Sequence, residues 1–130
     1  MSVKGWATMQ ESREDHRGYR RLTIQLPVEC ISPDGGWERT VRGVTVNIST
    51  GGIYFEVDVS NGLSRLPADA LLDIELTVPP GQGHFPYEGR VKSVAEVVRW
   101  EELGDVNGVS PRRRRVGVAA RFREPLKLAF

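Results

Sequence analysis

The sequence predicts an all-β domain, a barrel or sandwich of six short antiparallel strands. Apolar residues recur with period two in six separate stretches, clusters of Gly, Pro, Asn and Asp divide those stretches, and none of them carries an apolar face of helical period. The length of 130 residues suits one domain. A hydrophobic share of 39% beside 27% charged residues is enough apolar material for a core and too much for a disordered chain.

Residues 1–16 are polar, mixed in charge and without an apolar face, and read as a flexible arm. From Leu22 the pattern alternates: Leu22, Ile24 and Leu26, then Val28 and Cys30, with Pro27 marking an edge or a bend. Ser32-Pro33-Asp34-Gly35-Gly36 is a dense turn signal, and Trp37 to Ile48 then forms the returning strand of a hairpin, with Val41, Val44 and Val46 as its apolar set. Gly51 to Val59 is rich in β-branched and aromatic residues and gives the third strand. Asn61-Gly62 opens a loop. Leu72, Ile74, Leu76 and Val78 alternate through the fourth strand, which Pro79-Pro80-Gly81 ends. Tyr87 to Trp100 is a long fifth strand whose alternation slips near Ala95, as at a β-bulge. Hydrophilic residues 101–111 connect it to the sixth strand, Arg114 to Phe122, where Val116, Val118, Ala120 and Phe122 share a face.

Composition narrows the function. The 18 Lys plus Arg nearly cancel the 17 Asp plus Glu, so no whole-protein attraction for nucleic acid or anionic lipid is expected, and an anion site must be local. The single cysteine, Cys30, excludes an internal disulfide, sits at a core position and suits a reduced compartment. The first residues lack the roughly seven apolar residues of a signal peptide, and no run reaches the roughly 20 needed to span a bilayer, so a cytoplasmic protein without direct membrane insertion is expected. His16 and His84 have no partner at a metal-ligand spacing, and neither a serine elbow, a P-loop nor a Cys-His pair points to an enzyme. No metal, cofactor or catalytic residue is expected.

Two separated elements carry chemistry. Arg17-Gly18-Tyr19-Arg20-Arg21 sets two arginines four apart before the first strand, and Asn47-Ile48-Ser49-Thr50-Gly51-Gly52 falls at the turn between the second and third. Each has an ordinary reading alone: the arginines as a solvated segment beside Glu14 and Asp15, the turn as one of many that use Asn, Ser and Gly. Together, in this order and against six strands, they spell RxxxR followed by [D/N]xSxxG. The chain thereby resembles the PilZ domain family of cyclic di-GMP receptors over about residues 13–123, and Arg115-Val116-Gly117-Val118-Ala119-Ala120-Arg121-Phe122 is similar to the family's last strand.

The resemblance implies a six-stranded antiparallel PilZ-like barrel with a flexible N-terminal segment at 1–12, the domain at 13–123 and a short tail at 124–130. Pro125 to Phe130 stands where the family usually has an amphipathic helix, so that helix is expected to be short or absent. It also implies cyclic di-GMP as ligand, with Arg17, Arg20 and Arg21 on phosphates or guanines, Asn47, Ser49, Gly51 and Gly52 forming the opposite wall, and His16 as a minor contributor. Arginine suits such a ligand because its planar fork meets phosphate oxygens, pairs with guanine O6 and N7, or stacks on the base. Asn47 can accept from guanine N1 or N2, and Gly52 permits close backbone approach. A receptor of this kind needs an unidentified downstream protein, in motility, biofilm or exopolysaccharide control, to which ordering of the arm would relay the signal. Two rivals are a ligand-free PilZ-fold interaction adaptor of the type IV pilus or motility kind, whose relatives lack the arginine motif, and a nucleic-acid-binding barrel using Arg112 to Arg115, a cluster whose ordinary reading is a solvent-exposed hairpin.

Overall fold

Alternating side chains along each strand require an inner and an outer face, and the chain meets that requirement by closing its strands on one another. The computed structural model describes residues 21–60, 65–105 and 113–128. Within them run β1 (Leu22–Thr23), β2 (Pro27–Ser32), β3 (Trp37–Ile48), β4 (Gly52–Ser60), β5 (Leu71–Val78), β6 (Gly89–Asp105) and β7 (Arg113–Phe122). The order is β1-β3-β2-β5-β6-β7-β4, every pairing is antiparallel, and β4 also pairs with β3. That last pairing closes β2 to β7 into a six-stranded barrel, as expected from the sequence, and β1 is a two-residue addition along β3. Residues 1–12, with Trp6, as well as His16, Arg17 and Arg20, the Asn61-Gly62 loop, the hairpin tip with Arg112, and the last two residues of the tail lie outside the described residues.

The inner faces form one core. Phe55, Val57 and Val59 from β4, Leu72, Ile74, Leu76 and Val78 from β5, and Val116 and Val118 from β7 are all essentially buried. Each such side chain contributes on the order of 1.5–3 kcal/mol on leaving water. Trp37 and Trp100 pack edge to face, ring centroids 5.8 Å apart, and Cys30 is buried in the same core cluster. Burial pushes the Cys30 thiol up to about 12.

Three local expectations are corrected. The first predicted strand is in two pieces: β1 ends at Thr23 and β2 begins at Pro27, the residue that marked an edge or a bend and that pairs with Val44. Of the three valines read as the apolar set of β3, Val41 is buried as expected, but Val44 and Val46 are not. Val44 is 46% exposed, whereas Thr45 is buried, its hydroxyl accepting from the Leu26 N–H at 2.8 Å and donating to the Ile24 carbonyl at 2.6 Å. Those two bonds satisfy backbone groups that the break leaves without strand partners. Third, Ala95 is fully buried and in phase with Val97, and the slip in β6 falls at Val98, between Val97↔Ala120 and Arg99↔Ala119. A second irregularity follows between Glu102 and Gly104, so β6 continues through Asp105 into residues read as a connection. Among the described residues after Phe122 there is no helix, and Leu126 is buried in the core cluster.

Candidate functional site

The turn joining β3 to β4 is built by its own serine. The Ser49 N–H donates to the Gly52 carbonyl at 2.8 Å, and the Ser49 Oγ accepts from the N–H groups of Gly51 at 3.2 Å and Gly52 at 3.1 Å. A hydroxyl two and three residues upstream thus gathers two backbone donors that a tight turn would leave unmet. Neighbouring chain fixes the turn from outside: the Gly51 carbonyl accepts from Phe122 N–H and the Thr50 carbonyl from Leu126 N–H, both at 2.9 Å. Gly52 is required by contact, since a Cβ there would lie 2.8 Å from the Ala120 carbonyl oxygen of β7.

Arg21 reaches this turn because β1 pairs with the end of β3, Leu22 opposite Ile48 and Thr23 opposite Asn47. Arg21, Asn47, Ser49, Gly51 and Gly52 consequently line one cleft of about 800 Å³ on the outer wall of the barrel. The structure therefore brings together every sequence-predicted site residue that it describes. A second hollow of about 560 Å³, over β2, β5 and β6, has Glu29, Asp73 and Glu75 in its wall and contains no residue of either motif.

The floor and far wall of the cleft come from residues the motifs do not include. A single row crosses four strands: Asn47 opposite Tyr54, Tyr54 opposite Ala119, Ala119 opposite Arg99. In the next row Glu56 faces Gly117 and Gly117 faces Glu101. The small residues of β7 form a trough between Tyr54 on one side and Arg99 and Glu101 on the other. Tyr54 leans across it, its hydroxyl occupying the space that a Cβ on Gly117 would fill, and donates to Glu101 Oε1 at 2.8 Å. Arg99 Nε donates to Glu101 Oε2 at 2.9 Å, and its guanidinium carbon stands 6.0 Å from the Tyr54 ring centroid. Burial, with the hydrogen bond to Glu101 behind it, pushes the Tyr54 phenol up to about 12. The same bond, with the one from Arg99, holds the Glu101 carboxyl below the ordinary glutamate value. Arg121 and Arg123 complete the rim and share one carboxylate, Glu96, at 3.4 and 3.8 Å.

One of these residues had a signal in the sequence. Tyr54 is an aromatic at the outward parity of a strand whose inward set is Ile53, Phe55 and Val57. Arg99 and Glu101 had none, because the bulge at Val98 resets which β6 residues face outward. Arg114 and Arg115 pair with Glu102 at 3.5 Å and Asp58 at 3.4 Å, and neither lines the cleft. Among the described residues no group of three or more His, Cys, Asp or Glu side chains is placed to hold a metal, and no helix is long and apolar enough to cross a membrane.

The PilZ domain family model matches residues 11–120. No curated protein matches the sequence. Among solved structures, the PilZ domain of YcgR from Escherichia coli with c-di-GMP is similar at a TM-score of 0.56 and 17% identity, covering 81% of this chain and 76% of that one. The PilZ domain of CeSA from a cellulose-synthesizing bacterium aligns at a TM-score of 0.44 and 20% identity, over 77% of this chain and 79% of that one.

Proposed function

The chain belongs to the PilZ domain family, and from that premise we propose that it is a cyclic di-GMP receptor whose ligand lies in the cleft on the outer wall of the barrel. The reading rests on one observation above all. Arg21, at the end of the RxxxR element, and Asn47, Ser49, Gly51 and Gly52 of the turn are brought to a single cleft by the β1–β3 pairing, although one hairpin separates them in sequence.

In this reading the turn is the preformed wall and the arginines are the clamp. Asn47 offers its amide to a guanine edge, and Gly51 and Gly52 let the ligand approach the backbone. The Ser49 hydroxyl already serves the turn, so its main part is to hold that wall in shape. Arg17 and Arg21 take phosphates, with Arg20 as a third donor and His16 beside them. Residues 13–21 order over the ligand and present a new surface to a downstream protein, so ligand and partner affinities are coupled reciprocally. The protein acts by binding rather than by catalysis.

Titration calorimetry of the whole chain with cyclic di-GMP tests this directly. Binding is expected, with Arg17→Ala and Arg21→Ala each losing roughly ten- to a hundred-fold in affinity, the equivalent of one charge-assisted contact. No binding at tens of micromolar, by heat and by an independent method, refutes the proposal. Binding that both variants leave unchanged refutes the site.

A further inference from the structure

We infer that Glu101 is a guanine-reading group of the cleft, accepting the N1–H and N2–H donors of one base of the ligand and so setting its preference for guanine. The inference rests on the cyclic di-GMP reading above and assigns to it a residue outside both motifs.

The geometry is that of a half-satisfied carboxylate. An ionised carboxylate has about four acceptor positions on two oxygens. Tyr54 takes one on Oε1 and Arg99 takes one on Oε2, which fixes the plane of the group and leaves a position on each oxygen. The side chain is 40% exposed and faces the trough, so those positions are open to a ligand. Two parallel acceptors match the two adjacent donors on the Watson–Crick edge of guanine. Adenine presents an acceptor, its N1, at the corresponding point, and would meet the carboxylate with like against like.

The turn cannot do this alone. An asparagine amide has one acceptor atom and a donor beside it, so Asn47 accepts from only one of the two guanine donors. The carboxylate that accepts both stands on the opposite wall. Asn47 lies on the row of Tyr54, Ala119 and Arg99, and Glu101 on the next, so three strand spacings, about 14 Å along the curved sheet, separate the strands that carry them. The ligand carries two guanines, one for each wall. Arg99 and Tyr54 are positioning residues here: they orient Glu101 and keep it charged.

The experiment compares cyclic di-GMP with cyclic di-inosine monophosphate, which keeps N1–H and lacks the N2 amine, on the wild type and on Glu101→Gln. The wild type is expected to favour the guanine ligand by about ten-fold or more, and Glu101→Gln to shrink that ratio severalfold, because its amide places a donor against a donor. Glu101→Asp, which keeps the charge and withdraws it by one methylene, is expected to shrink the ratio too and serves if the glutamine variant fails to fold. Equal losses for both ligands, leaving the ratio intact, overturn the inference while the receptor reading stands. Failure of the wild type to bind cyclic di-GMP removes both.

Discussion

Thr45→Val tests how the barrel holds its arginine in place. The substitution keeps the shape of a fully buried side chain and removes only its hydroxyl, so it opens no cavity. The Leu26 N–H, buried and 2.8 Å from that oxygen, then has no acceptor, which costs about 1–3 kcal/mol. The Ile24 carbonyl loses its 2.6 Å donor but is only partly buried, so water replaces much of that bond. The neighbouring backbone bonds, Thr45 N–H to Leu26 carbonyl at 2.9 Å and Ile24 N–H to Val46 carbonyl at 3.3 Å, survive. The sum is about 2 kcal/mol, or a fall in melting temperature of roughly 8 °C for a domain of this size. Thr45→Ser keeps the hydroxyl, deletes a methyl and costs about 1 kcal/mol. Thermal unfolding followed by circular dichroism, with both variants in parallel, decides. Because Arg21 immediately precedes β1, the valine variant is also expected to bind cyclic di-GMP severalfold more weakly than the serine variant at a temperature where both are folded. A valine variant as stable as the serine variant refutes the role assigned to the hydroxyl.

The remaining expectations concern the core thiol, the trough and pH. Cys30, buried with its thiol pushed up to about 12, should stay unreactive toward a disulfide reagent at neutral pH and react once denaturant unfolds the barrel; rapid labelling of the native protein would contradict its burial. Gly117→Ala should displace the Tyr54 ring, and ultraviolet titration of the phenol should then show it ionising below its native value of about 12 and nearer 10.0, with weaker cyclic di-GMP binding. The folded-state values of Cys30 and Tyr54 both lie above their ordinary 9.0 and 10.0, so their contributions to stability are whole below those values and disappear as pH rises toward 12. Urea midpoints should therefore fall steadily through the alkaline range, and a flat profile there would show that neither group is buried as described. Glu101 has the opposite sign: held low in the folded state, it favours folding above pH 4.5, and that contribution fades as pH falls through its native value.

Strand positions were legible in the sequence because burial on one face enforces period two; β5 follows that rule without exception, and β7 breaks it only at Gly117, which Tyr54 covers from outside. The rule fails where the ladder does. In β3 the eye follows Val44 and Val46, yet the inward residue between them is Thr45, a polar side chain recruited to satisfy the backbone at the β1–β2 break. In β6 one inserted residue, Val98, resets the phase, and no local composition marks it. The irregularity in β6 also hid Arg99 and Glu101 of the candidate site. The motif residues Arg21, Asn47, Ser49, Gly51 and Gly52 are recognisable as a pattern in one dimension. Tyr54, Arg99 and Glu101 become neighbours only through pairings of β4 with β7 and β7 with β6, which join parts of the chain far apart in sequence.

The near-neutral net charge of the chain and the proposed anion site on its surface are reconciled at Glu96. Arg121 and Arg123 share that one carboxylate, at 3.4 and 3.8 Å, so two cations face one anion at the rim of the cleft. Both guanidinium groups are more than half exposed, and exposed ion pairs of this kind contribute only about 0–1 kcal/mol each. A phosphate entering beside Arg21 therefore displaces little when it draws one of them away from Glu96. Arg99 is spent differently: its bond to Glu101 goes to orienting a base-reading group, and moving it would undo that function. The cleft thus holds arginines of two kinds, those loosely paired and available to phosphate and one committed to the wall. That division is why the positive charge can be local without appearing in the sum.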